Sequence, residues 1–132
     1  MITLQLWMRI VGGYYLLLCA GALARQPIRT EGPPGVLESA AQGDATARFV
    51  VDTWVTLGLL IGVLGASLIY FSGNPGEAHV LAMTVIAIEL GWGIPIDIYR
   101  IVRGGRKAPS VVFIGIHSVI IVTGVLALTQ NH

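Results

Sequence analysis

Charged side chains are scarce in this sequence and cysteine is nearly absent. Asp, Glu, Lys and Arg make up 11% of its 132 residues, against about 25% in a soluble domain, while 55% are hydrophobic. A chain so poor in charge cannot cover a water-facing surface, which implies an integral membrane protein. The formal net charge of +1 gives no field that would recruit nucleic acid or an acidic substrate. One cysteine, Cys19, excludes an intramolecular disulfide and a multi-cysteine zinc or iron–sulfur site. Phosphate loops, nucleophile elbows and the HExxH zinc motif are absent as well.

What the chain has is four long apolar runs. Each meets the ~20 residues that a ~30 Å hydrocarbon core requires of a helix. The pattern predicts an all-α fold, a single domain over residues 1–132, built as an antiparallel up-down bundle of four transmembrane helices at about 4–24, 48–71, 78–103 and 109–128. The first run ends Ala22-Leu23-Ala24 like a signal-peptide cleavage site, but no basic region precedes it, so it is expected to stay as a helix. Leu18 stands where acylation at Cys19 would want a small residue. Trp7 and Arg9 suit the membrane interface, and one of Tyr14 and Tyr15 is expected to face the bundle so that its hydroxyl finds a partner. The polar stretch 25–47 reads as a surface connection, with a lid over the bundle mouth as the alternative and a short helix conceivable over 35–41. Gly58 and Gly62 form a GxxxG that favours close helix approach within the chain.

Basic residues cluster on one side. Arg25, Arg29, Arg48, Arg100, Arg103, Arg106 and Lys107 flank the first and third connections, leaving only Arg9 toward the other face. The positive-inside rule then puts 25–47 and 104–108 in the cytoplasm and both termini outside, in a bacterial inner membrane.

The most informative segment is ELGWGIPIDIYR, Glu89 to Arg100. Pro95 cannot donate to the Gly91 carbonyl, so the third helix should kink near Gly91-Trp92-Gly93. Glu89 precedes Arg100 by eleven residues, about 16 Å along a helix, and His117 follows Pro109 by eight, about 12 Å. Both fall near mid-membrane on helices joined by a short turn. A carboxyl there costs roughly 2.5–3.5 kcal/mol to insert and marks a candidate functional site. With His117 it makes a proton donor and acceptor in a dry place, which acid–base chemistry on an apolar substrate needs. The plainer alternative is a hydrogen bond clamping the two helices. Asp97 with Arg100, and Asp52 with Arg48, read as ion pairs in a second polar layer near the cytoplasmic surface. No metal site is expected from Glu89, Asp97 and His117, which lack a second histidine at depth. His79 and His132 fall at the opposite surface, so a haem held by two histidines is not expected, nor any other cofactor.

GGYYLLL at 12–18, FVVDTW at 49–54, IELGWGIPIDIYRIVRGG at 88–105 and HSVIIVTG at 117–124 resemble the small BphX-like membrane proteins within the DoxX-like style of bundle. The resemblance implies a compact four-helix bundle and, from the group's association with aromatic-compound degradation, an apolar aromatic ligand. ELGWGIP followed by His117 also looks like the acid and histidine of the sterol-isomerase and sigma-2-receptor group, although helix one lacks the acid that group carries.

Three functions follow as expectations. The chain could bind an apolar molecule, lipid-, quinone-, sterol- or aromatic-like, in a cavity within the bundle, with Tyr14, Tyr15, Asp52, Trp92, Asp97 and Arg100 as contacts, alone or as an accessory subunit of a larger complex. It could be an enzyme using Glu89 and His117 as catalytic acid and base. Or it could be a structural subunit packed against other membrane subunits or further copies of itself in the lipid.

Overall fold

The computed structural model describes residues 2–105 and 107–130, so Arg106 of the basic cluster and His132, expected at the opposite surface, lie outside the described residues. The elements run α1 (Leu4–Leu23), α2 (Gln26–Glu31), α3 (Val36–Ala41), α4 (Ala45–Phe71), α5 (Pro75–Ile88), a π-helical turn (Glu89–Gly93), α6 (Ile94–Val102) and α7 (Lys107–Thr129). The fold is all-α, and among the described residues four spans are long and apolar enough to cross a membrane: α1, α4, α5 through α6, and α7. Leu60, Val63, Val112, Val119 and Val122 are large, apolar and exposed. Such surfaces would drive aggregation in water but are at home in lipid.

Helix ends follow capping chemistry. α4 starts three residues before the expected position because the Asp44 carboxylate accepts the Ala47 N–H at 2.7 Å, satisfying a donor that the first turn leaves open. α5 likewise starts at Pro75, behind Asn74, since proline in the first turn loses no hydrogen bond. The connection 25–47 is not plain coil: it holds α2 and α3, the latter over the stretch where a short helix was conceivable.

The chain forms two compact units, Gly12–Ser67 and Met1–Val11 with Leu68–His132. Inside the first, the small face of α4 lies against α1. A Cβ on Gly62 would stand 2.5 Å from Cys19 Sγ, and one on Gly65 would stand 2.7 Å from the Gly12 carbonyl oxygen. Close backbone approach of this kind replaces the hydrophobic driving force that lipid removes. The glycine pattern therefore packs within the chain, as its spacing suggested.

Inside the second unit, Trp7 departs from the expected interfacial position. Only 1% of it is exposed, and its indole N–H donates to the Ile120 carbonyl at 3.2 Å and to Thr123 Oγ1 at 3.1 Å. Gly124 makes room for the ring, because a Cβ there would meet Trp7 Cζ2 at 2.7 Å. Arg9, although exposed, also has a protein partner: its Nε donates to Ser72 Oγ at 3.2 Å. Met8, Leu68, Ala82, Val85 and Ala127 complete this core.

Candidate functional site

The third span owes its geometry to Pro95. Without an N–H at that position the α-helical ladder cannot continue through the turn, and the chain widens into a π turn in which the Ile94 N–H donates to the Glu89 carbonyl, five residues back. Turns of this type are rare and concentrate at functional sites. Their consequence here is rotational. In an unbroken helix Asp97, eight residues after Glu89, would sit about 80° away around the axis. The extra residue in the π turn removes roughly that angle. Glu89 and Asp97 thus share a face, directed at α7.

On α7, His117 stands between them. Its Nδ1 is hydrogen-bonded to Glu89 Oε2, and its Nε2 lies 3.3 Å from Asp97 Oδ2. Asp97 Oδ1 accepts from Arg100 Nη1 at 3.3 Å. The four groups run in line, Glu89, His117, Asp97, Arg100, from the middle of the span to its basic end. Arg100 is the most exposed member, its side chain 34% exposed against 13% for His117, while Glu89 is 4% and Asp97 2% exposed. The Phe113 ring, one turn before His117, leans on the imidazole with centroids 6.4 Å apart.

Charge balance explains how such a row tolerates burial. Each imidazole nitrogen facing a carboxylate oxygen requires one proton in the gap, so two protons are divided among Glu89, His117 and Asp97. Wherever they sit, those three groups sum to one negative charge, and Arg100 cancels it. A buried ionic network is tolerated when its members are paired and hydrogen-bonded; here every link has a partner.

Glycine at 93 permits the central contact. A Cβ on Gly93 would lie 2.8 Å from both Glu89 Oε2 and His117 Nδ1, too close for the carboxylate and ring to keep their places. Gly93 belongs to the site, although the sequence suggested only its part in a kink. The signal was there: glycine four residues beyond a buried acid is where a helix leaves room for that acid's head and a partner.

No protein-family model matches this chain, and no curated protein or solved structure matches it.

The remaining candidates fall elsewhere. Trp92 is 43% exposed, on the outward side of the π turn with Leu90, and Gly91 beside it has open space where a side chain would be. In the Gly12–Ser67 unit, Tyr15 is buried and Tyr14 half-buried, their rings 5.9 Å apart. Asp52 is exposed. Its expected pairing with Arg48 does not form, because Arg48 Nε donates to the Ala40 carbonyl at 3.1 Å, drawn there by α3. Asp97 differs most from expectation: it belongs to the His117 row and not to a separate surface layer. Among the described residues no group of three His, Cys, Asp or Glu side chains has a metal-holding arrangement. Both nitrogens of His117 already face carboxylates, so the ring could ligate a metal only by giving one up. An open groove of about 480 Å³ lies along Phe71, Gly76, Glu77, Val80, Leu81 and Thr84; Glu89 does not line it.

Proposed function

We propose that this protein, seated in a bacterial inner membrane with 25–47 and 104–108 toward the cytoplasm, exchanges a proton with a small apolar molecule that carries one polar end. The observation behind this reading is the imidazole of His117 held at both nitrogens, by Glu89 on one side and by Asp97 on the other. A base oriented by a carboxylate that is itself oriented by a third group is the arrangement acid–base catalysis uses to fix a tautomer and steady a proton. Glu89, deepest in the row, meets the ligand. His117 supplies or stores the proton, Asp97 fixes the ring, and Arg100 balances the charge.

The ligand's class follows from the surroundings. Leu90 and Trp92, neighbours of Glu89 in the chain, are exposed on the outward side of the same turn, which suits a molecule of quinone-, sterol-, lipid- or aromatic-like character arriving through the bilayer. The resemblance to BphX-like proteins points to the aromatic end of that range. Binding without turnover, and service as an accessory subunit, use the same site with Glu89 as a hydrogen-bonding group only.

A second reading, a structural clamp between the third and fourth spans, draws on the low exposure of Glu89 and the tightness of its contact with His117. Photo-crosslinking separates the two. Diazirine-bearing quinone, sterol and aromatic probes are offered to the wild type and to Glu89→Gln in lipid nanodiscs, and the recovered probe is weighed by mass spectrometry. Labelling of α5 to α7 in both proteins, with conversion of the probe lost in Glu89→Gln, supports acid–base chemistry. Labelling without conversion in either supports binding alone. No labelling, with only a lowered unfolding temperature in the variant, supports the clamp.

A further inference from the structure

Glu89 is buried at mid-span, so any proton it releases to a ligand must be replaced through the protein. The row Glu89, His117, Asp97, Arg100 offers such a route, because each neighbour lies within hydrogen-bond reach and the last is the most exposed. We infer that His117 and Asp97 form a proton wire connecting Glu89 with the aqueous phase at the Arg100 end of the span. The acid–base centre then reloads from one side of the membrane only.

The step balances with two protons and no outside reagent. At the start Asp97 carries a proton that it donates to His117 Nε2, while His117 Nδ1–H donates to the Glu89 carboxylate. The Asp97 proton passes to Nε2 and the Nδ1 proton passes to Glu89, leaving Asp97 ionised and His117 neutral with its proton on Nε2. One positive charge has moved inward from Asp97 to Glu89, eight residues or about 12 Å along the helix, roughly two-fifths of a ~30 Å hydrocarbon core. After Glu89 gives its proton away, a half-turn of the ring about Cβ–Cγ carries Nε2–H toward Glu89 and the bare Nδ1 toward Asp97, the two carboxylates shifting to meet the new nitrogen positions, and Asp97 takes its next proton from water beside the Arg100 guanidinium. Gly93 leaves the space at the inner end of the wire. Arg100 passes no proton itself; it is a positioning residue for Asp97.

This inference deepens the acid–base reading, yet its test needs no ligand, so either can fail alone. The full-length protein, labelled with heavy nitrogen at histidine, is placed in nanodiscs and moved into deuterated buffer. Arrival of deuterium in the His117–Glu89 hydrogen bond is read from the isotope shift of the His117 Nδ1 resonance, identified by its loss in His117→Gln. In Asp97→Asn, which cannot relay a proton, exchange is expected to slow on the order of 100-fold, the scale of a lost positioned proton transfer, and Asp97→Glu is expected to restore much of it. An unchanged rate in Asp97→Asn overturns the wire. Should that variant fail to fold, wild-type protein oriented in vesicles receives deuterated buffer on one face at a time. Exchange from the Arg100 face alone upholds the inference, and equal exchange from both faces, or exchange from the opposite face alone, overturns it.

Discussion

Asp97 and His117 lie on different spans, and Asp97 Oδ2 nonetheless stands 3.3 Å from His117 Nε2 because the π turn before Pro95 rotates Asp97 onto the face that already carries Glu89. One residue more in a turn thereby makes a row of ionisable groups out of what an unbroken helix would have left as two unrelated acids.

Gly93→Ala adds a methyl group 2.8 Å from both Glu89 Oε2 and His117 Nδ1. Overpacking of this kind costs about 1–3 kcal/mol. Unfolding in mild detergent should show a loss of that size, and the histidine nitrogen resonances should move as the ring is pushed from the carboxylate. Unchanged stability with unmoved resonances would mean that the close approach does not exist.

Glu89→Gln and His117→Asn should be strongly non-additive. The two side chains are in direct contact, and residues sharing one network couple by about 0.5–3 kcal/mol, with interhelical polar contacts in lipid about 0.6 kcal/mol on average and up to about 1.7 by double-mutant cycle. A double-mutant cycle on unfolding free energy measures the coupling. Simple addition of the two single effects would show that the pair contributes nothing to holding α7 to the third span.

The sequence carried the coarse plan and half of the site. Four apolar runs, broken by Ser72-Gly73-Asn74-Pro75-Gly76 and by the basic turn before Pro109, are enough to mark the spans, because lipid demands unbroken helices of set length. Glu89 and His117 could be matched in depth from residue counts alone, since rise per residue is constant. Angular position was different. It depends on every turn between two residues, and Pro95 marks a break in the ladder without fixing whether the chain kinks or widens into a π turn, so the sequence alone pairs Asp97 with Arg100 near the surface. Trp7 differs from expectation for a related reason: a tryptophan near the end of a span suits the interface by composition, and only Gly124 on a distant helix shows that its ring has a slot to enter.

Gly65→Val tests the packing of α4 on α1. The new side chain would begin 2.7 Å from the Gly12 carbonyl oxygen and 2.9 Å from Tyr15 Cβ, and neither backbone nor Cβ can swing away as the tip of a long side chain would. A loss of about 1–3 kcal/mol is expected. Gly13→Val is the matched control, since a Cβ at Gly13 meets nothing within 4 Å; equal losses in the two variants would remove the case for a glycine-lined contact.

Trp7→Phe keeps an aromatic ring in the slot over Gly124 and removes only the indole N–H, which donates to the Ile120 carbonyl at 3.2 Å and to Thr123 Oγ1 at 3.1 Å. Thr123 does not become an orphan, because its hydroxyl also donates to the Val119 carbonyl at 2.6 Å, and the Ile120 carbonyl keeps its place in the α7 ladder. The loss should therefore be that of one net hydrogen bond, about 0.5–1.5 kcal/mol. Trp7→Ala empties the slot as well and should cost about 3–5 kcal/mol, the range for deleting a large buried aromatic. Unfolding of the two variants side by side decides the matter. If phenylalanine proves as damaging as alanine, the indole N–H and not the ring would be what fastens the start of α1 to α7. If alanine costs as little as phenylalanine, Trp7 would have to lie in the interface after all.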